Sequence, residues 1–188
     1  MRRPDVVVIG GSAGSFSVVH AILGALPAHY PIPVVLCLHR LRDVKSGFIE
    51  ALSIKSRLPV REVIDKCNLH NGCVYLAPAN YHFSVEPEGQ VALSTEVAIN
   101  YSRPSIDITF EAFSYAYRDK ALGVLLSGAN RDGALGLRLM RLAGGRTLVQ
   151  HPEEAAMPTM PKAALSLYTE HEQWRGQEIA QQLARLFY

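Results

Sequence analysis

Cysteine is scarce in this chain. There are three, Cys37, Cys67 and Cys73, among 188 residues. An odd number without framework spacing argues against a disulfide-built secreted module and for a reduced, cytoplasmic protein. Cys67-x-x-His70-x-x-Cys73 fits no common zinc spacing, and a fourth ligand would have to come from elsewhere, with His82 the candidate. The plainer reading of Cys73, beside Val74-Tyr75-Leu76, is a small buried hydrophobe. Neither a metal nor a cofactor is expected. Long apolar runs are also missing. None approaches the ~20 residues that span a bilayer, so membrane insertion is not expected. Met1-Arg2-Arg3-Pro4 is basic, but the apolar stretch behind it is short and ends in glycines, which suits a first strand rather than a signal peptide. Charge of one sign is lacking too: 19 Lys and Arg against 17 Asp and Glu leave a net charge of +2, and the basic residues are scattered. Bulk electrostatics therefore give no case for nucleic acid or a membrane surface. No internal repeat, low-complexity tract or long linker interrupts the chain.

What is present is a core. The hydrophobic content is 48%, and the length suits one domain over 1–188 that buries most of its apolar surface without staples. Continuous apolar runs predict buried strands at Val6 to Ile9, Val34 to Leu38 and Ala121 to Leu126, with further strands at Pro59 to Ile64 and Thr147 to Val149. Helical spacing marks Phe16 to Leu26, Lys45 to Ser56, Ile106 to Tyr117, Asp132 to Leu142, Pro161 to Tyr168 and Gly176 to Phe187. Between Gly72 and Glu96 the texture changes. Val74 to Leu76, Tyr81 to Val85 and Val91 to Ser94 are short runs set off by turns, which predicts a small antiparallel excursion. The alternation elsewhere predicts an α/β fold: a doubly wound, mostly parallel sheet with helices on both faces. Chemistry in such sheets collects at the carboxyl ends of the strands.

Three polar residues stand at that edge. Ser12 lies in Gly10-Gly11-Ser12-Ala13-Gly14, a Gly-x-Ser-x-Gly turn between strand and helix, the layout of a nucleophile elbow. His39 follows the second strand. Asp132 lies beyond the late strand in Ser127-Gly128-Ala129-Asn130-Arg131-Asp132. A nucleophile, a base and an orienting acid on one rim is the recipe for acyl transfer. The order Ser, His, Asp differs from the Ser, Asp/Glu, His of ordinary α/β-hydrolases. Each residue also has a structural reading: Ser12 and Asp132 as helix N-caps, His39 as a hydrogen-bonded histidine at a strand end. A nucleotide-binding turn is the other alternative, with Arg40 meeting a phosphate. Ser12 occupies the place of the middle glycine in the dinucleotide fingerprint, however, and the lysine of a P-loop is absent.

Read together, Ile9 to Gly14, Leu38-His39, Gly72 to Pro78 with His82, Arg103-Pro104-Ser105-Ile106-Asp107, the loop from Leu126 to Gly136, and Met160 to Ala164 are ordered as in a known family. The chain resembles the catalytic domain of the CheB-type chemotaxis protein-glutamate methylesterases over almost its whole length. The resemblance implies a cytoplasmic hydrolase in which Ser12, His39 and Asp132 form the triad. It would act on glutamate γ-methyl esters, and on selected glutamine amides, of methyl-accepting chemotaxis receptor helices. Backbone N–H groups of Ala13 and Ala129 are the candidates for the oxyanion hole. The family often carries a receiver domain ahead of the catalytic one. This sequence begins at the first catalytic strand, which leaves two readings open: a stand-alone esterase, for which a separate response regulator is a further partner, or a piece of a longer chain. Two departures stand out: Ser15 where a second glycine is usual, and Ala129-Asn130 where the late loop usually reads Met-Gly. They motivate the alternative of a catalytically weak or inactive member that binds a signalling partner.

Overall fold

In the computed structural model, the described residues are 3–40 and 47–187. The element order is β1 (Val6–Gly11), α1 (Phe16–Ala25), β2 (Val34–Leu38), α2 (Phe48–Ser53), β3 (Val60–Glu62), β4 (Val74–Leu76), β5 (His82–Val85) and β6 (Val91–Ser94). There follow α3 (Ile106–Tyr117), β7 (Ala121–Leu125), α4 (Ala134–Leu142), β8 (Arg146–Gln150), α5 (Thr159–Leu167), β9 (Glu172–Trp174) and α6 (Gly176–Arg185). Seven strands form one sheet in the order β3-β4-β2-β1-β7-β8-β9, and β5 and β6 form a separate pair. Every pairing within the large sheet is parallel; β5 and β6 are antiparallel.

Strand alternation divides the core into two layers. Val7 and Ile9, Val34, Leu36 and Leu38, and Leu122 and Val124 face the layer of α1 and α6. Val6 and Val8, Val35 and Cys37, and Ala121 and Leu125 face the layer of α3, α4 and α5. A sheet covered on both faces needs continuous apolar strands, and those are what the sequence supplies. At one point the layers nearly touch. A Cβ at Gly10 would come within 2.3 Å of Ile106 Cγ2, so α3 lies directly on β1 only because residue 10 has no side chain.

Several boundaries differ from the sequence expectations. Val74–Leu76, assigned to the antiparallel excursion, is instead β4 of the parallel sheet, between β2 and β3. Only β5 and β6 leave the sheet. Helix α4 begins at Ala134 rather than Asp132, because Gly133 adopts φ +93°. Of the helix expected over Lys45 to Ser56, Phe48–Ser53 is observed, and residues 45 and 46 lie outside the described residues. Strand β9 was not anticipated at all.

The topology positions the site. From β1 the chain departs to one side through β2 and returns on the other with β7. The carboxyl end of β1 is thus a topological switch point, where doubly wound folds open a crevice. Gly11 pairs with Leu38 and Gly10 with Leu125, so the residues that follow β1, β2 and β7 emerge at one level.

Candidate active site

Ser12 follows β1 directly. Its N–H donates to the Ser127 carbonyl at 2.9 Å, and its own carbonyl accepts from the Ser15 hydroxyl at 2.7 Å and the Ser15 N–H at 3.1 Å. Ser127 ties the two loops together: its hydroxyl donates to the Ala13 carbonyl at 2.8 Å and accepts from the Met157 N–H at 2.8 Å. The turn closes through Gly14 at φ +81°, where a Cβ would meet Ala156 Cβ at 2.6 Å. Ser15, the departure from the usual glycine, is buried and braces the turn through its hydroxyl. The N–H groups of Ala13 and Ala129 donate to nothing among the described residues, and both residues are exposed. Ala13 lines the cleft above Ser12; Ala129 is not among the residues lining it.

His39 follows β2, and its N–H donates to the Gly11 carbonyl at 3.1 Å. Its Nε2 lies 2.8 Å from Asp132 Oδ2. An ionised carboxylate only accepts, so Nε2 carries the proton and Nδ1 is the free lone pair. Ser12 and His39 line one shallow cleft with Ala13, Gly14, Phe16, Gly47, Phe48 and Ala51. No hydrogen bond joins them: Ser12 Oγ has no partner among the described residues, and the hydroxyl that bonds His39 Nδ1 is that of Ser102 at 3.5 Å.

Asp132 is fully buried. It does not cap its own helix; it accepts from the start of a different one. Oδ2 receives the Ile106 N–H at 2.7 Å besides His39, while Oδ1 receives the Ser105 hydroxyl at 2.9 Å, the Asp107 N–H at 3.2 Å and the Asn100 amide at 3.3 Å. Burial alone would push this carboxyl up, but the bonds from His39, Ile106 and Ser105 outweigh it and hold the group below the usual carboxylate range. The positive end of α3 adds to the same effect. Its neighbour Asp107 goes the other way. Burial, with the Asp132 charge beside it and the Gly136 N–H bond opposing, pushes Asp107 up to about 6.

The Arg103-to-Asp107 segment thus builds the carboxylate's cradle, a role that composition and periodicity did not disclose. Ser105 caps α3, accepting from the Ile108 N–H, and a serine ahead of an apolar-periodic run is a readable cap signal. Asn100, which bridges Asp107 and Asp132, and Ser102 carried no such signal. His82 is buried with both ring nitrogens engaged: Nδ1 accepts from the Ser105 N–H at 3.2 Å and Nε2 donates to the Val97 carbonyl at 3.1 Å. It supports the cradle from below. Among the described residues, no group of three or more potential metal ligands comes together. Cys37 is buried below His39, and burial pushes its thiol up to about 12, which leaves it no nucleophilic character.

The fold and the site define a class first: a doubly wound parallel α/β domain of hydrolase type, with a histidine held by a buried aspartate beside a serine turn at the switch point. Comparison with known proteins narrows this. The CheB methylesterase family model matches residues 7–183, and the chain belongs to that family of hydrolases. A Leptospira interrogans protein, provisionally named a protein-glutamate methylesterase/protein-glutamine glutaminase, is 37% identical over 161 residues, covering 86% of this chain and 83% of that protein. Protein-glutamate methylesterase/protein-glutamine glutaminase 3 of Burkholderia orbicola is 39% identical over 165 residues, 88% of this chain and 49% of its own length. The crystal structure of the Thermotoga maritima CheB methylesterase catalytic domain superposes with a TM-score of 0.91 at 27% identity, covering 98% of this chain and 100% of that one.

Proposed function

We propose that this chain, as a single catalytic domain, is a protein-glutamate methylesterase that cleaves glutamate γ-methyl esters on chemotaxis receptor helices. Selected glutamine amides would be further substrates. Ser12, His39 and Asp132 carry the reaction. The observation that supports this most is the His39–Asp132 couple, its carboxylate buried and its imidazole lining the cleft that Ser12 shares.

Each residue's part follows from its bonds. Asp132 holds the Nε2 proton and with it the tautomer, leaving Nδ1 as the base. As substrate enters the cleft, Nδ1 takes the Ser12 proton and Oγ attacks the ester carbonyl. Catalytic hydrogen bonds are commonly long in free enzymes and tighten in the complex. The tetrahedral oxyanion meets the unoccupied N–H of Ala13, which lines the cleft; the second proposed donor is the unoccupied N–H of Ala129, on the loop that Ser127 ties to the serine turn, and it has to close on the cleft to take part. The imidazolium, stabilised by Asp132, returns its proton to the leaving methoxide, and methanol departs. Water then attacks the acyl-Ser12 ester with His39 again as base, and glutamate is released. The cradle's four donors besides His39 keep Asp132 ionised throughout. The partners under this reading are receptor cytoplasmic helices and a response regulator, in the cytoplasm.

The second reading is a binding module with little turnover. The absence of a Ser12–His39 bond and the Ala129-Asn130 loop favour it. Methanol release from a methylated receptor cytoplasmic fragment decides between them. Turnover that Ser12→Ala abolishes supports the esterase; a folded chain with no turnover on that fragment supports the module.

A further inference from the structure

Beside His39 lies a small hollow of about 160 Å³, lined by His39, Arg40, Tyr101, Ser102, Arg103 and Pro104. No acidic residue lines it, although two arginines do. Arg103 is anchored through Nη1, which donates to the carbonyls of Thr95 and, at 2.9 Å, Glu96. Its other edge makes no bond among the described residues. Nε is buried without a partner, and Nη2 has none among the described residues. That edge, Nε with Nη2, is the fork that grips a carboxylate side-on, and the chain holds an example of its use: Arg146 binds Glu172 through the same two nitrogens at 2.7 and 2.8 Å. Arg40 contributes a second donor. Its side chain is 4% exposed, Nη2 is taken by Glu62 and the Ala77 carbonyl, and Nε is buried and unpartnered. Buried N–H groups without acceptors are rare in folded proteins and call for a ligand or a role.

The mouth of the hollow is held with some strain. Ile99 and Ser102 exchange backbone hydrogen bonds around Asn100 and Tyr101, which adopt φ +50° and +62°. Asparagine tolerates this conformation, whereas an aromatic residue adopts it rarely, and Tyr101 is fully exposed. Strained, exposed side chains of this kind gather at binding sites.

We propose that this hollow is a specificity subsite for a carboxylate of the substrate. An acidic side chain next to the ester-bearing residue seats on the unpaired fork of Arg103, which turns toward the hollow to meet it, with the Arg40 Nε–H as a further donor. The ester is then presented to the cleft on the other side of His39. The inference rests on the methylesterase reading and adds a preference to it: esters flanked by Asp or Glu are taken before those flanked by neutral residues. Arg131, the third basic residue near this rim, lines a different hollow and has no part in it.

Two matched peptides test this, each with glutamine at the reacting position and either Glu or Gln beside it. Binding is measured to the Ser12→Ala chain by calorimetry and by the NMR signals of the arginine Nε–H groups. The Glu peptide should bind about tenfold more tightly and shift the Arg103 and Arg40 signals. In Arg103→Gln the gap should close. In Arg103→Lys, which keeps charge but lacks the fork, it should narrow, and thermal melts verify that both variants fold. Equal binding of the two peptides, or a gap that survives in folded Arg103→Gln, would overturn the subsite. Methanol release from the corresponding methyl-ester peptides by the unmodified chain is the separate arm. Its complete absence counts against the esterase reading, while the binding comparison still decides the subsite.

Discussion

Replacing Asp132 by Asn is the most searching perturbation of the site, because the two carboxylate oxygens have separate duties. Oδ2 accepts from His39 Nε2 and the Ile106 N–H; Oδ1 accepts from Ser105, Asp107 and Asn100. An amide supplies one acceptor and one donor group. If its NH2 takes the Oδ2 place, it confronts the Ile106 N–H and forces Nε2 of His39 to become the acceptor, which moves the ring proton to Nδ1. If it takes the Oδ1 place, it confronts the Asp107 N–H. Either way at least one buried N–H of α3's first turn loses its partner, at about 1–3 kcal/mol, and the charge that favours the imidazolium is gone. The variant should lose about 2–3 kcal/mol of stability, seen as a Tm lower by roughly 4–12 °C for a chain of this size. Turnover should fall by up to ~10⁴-fold. Calorimetric melts and methanol release on the same sample measure both. Had Asp132 been an N-cap of α4, Asn would have been nearly silent, since it caps equally well. An Asp132→Asn chain with unchanged Tm and turnover would refute this account of the site.

Other outcomes follow from the same geometry. Ser12→Ala removes a hydroxyl with no partner, so Tm should hold while turnover drops by ~10³-fold or more; a folded variant with near-normal turnover would reject Ser12 as nucleophile. Asp107 and Asp132 should act on stability with opposite signs in pH. Asp107 titrates at about 6 when folded, above its unfolded value, so its contribution is fullest in acid and is lost as pH rises through 6. Asp132 is depressed, so its contribution is present above the unfolded carboxylate value and is lost as pH falls through the folded one. Denaturant melts of Asp107→Asn against the parent should therefore favour the variant more at pH 8 than at pH 5, and a pH-independent difference would contradict the assignment. Gly10→Ala drives a methyl into Ile106, 2.3 Å away, and should cost about 1–3 kcal/mol in urea melts and reduce turnover by shifting the α3 start that cradles Asp132. Methylated receptor fragments should exceed short methyl-glutamyl peptides in kcat as well as affinity, because remote contacts position the ester; equal kcat/KM on both would leave a general small-ester hydrolase.

Much of this arrangement was legible in the residues. The apolar runs of β1, β2 and β7 need no partner to be recognised, since strands buried on both faces are apolar throughout. Once the sheet is parallel, the residues that end them must share a rim, and so Ser12, His39 and Asp132 were placed by local pattern alone. What escaped depended on distant contacts. Val74–Leu76 sits between turn signals like those of a hairpin, yet pairs in parallel with β2 and β3, and no local feature names a strand's partner. Glu172–Trp174 is a three-residue edge strand with little apolar content, below what periodicity detects. The cradle of Asp132 joins residues 25 to 32 positions apart, and the hollow at His39 joins Arg40 to Arg103. Asp132 itself was read as either acid or cap. In the structure it accepts from His39 and from the first turn of α3, so the helix it caps is α3 and not its own.

The central claim is that Ser12 is activated by His39, and labelling with a serine-directed fluorophosphonate followed by peptide mass spectrometry tests it most directly. The account predicts one adduct, on Ser12, absent in Ser12→Ala and formed much more slowly in His39→Gln. Failure of the folded chain to label, or an adduct on another serine such as Ser102, which stands 3.5 Å from His39 Nδ1, would contradict it.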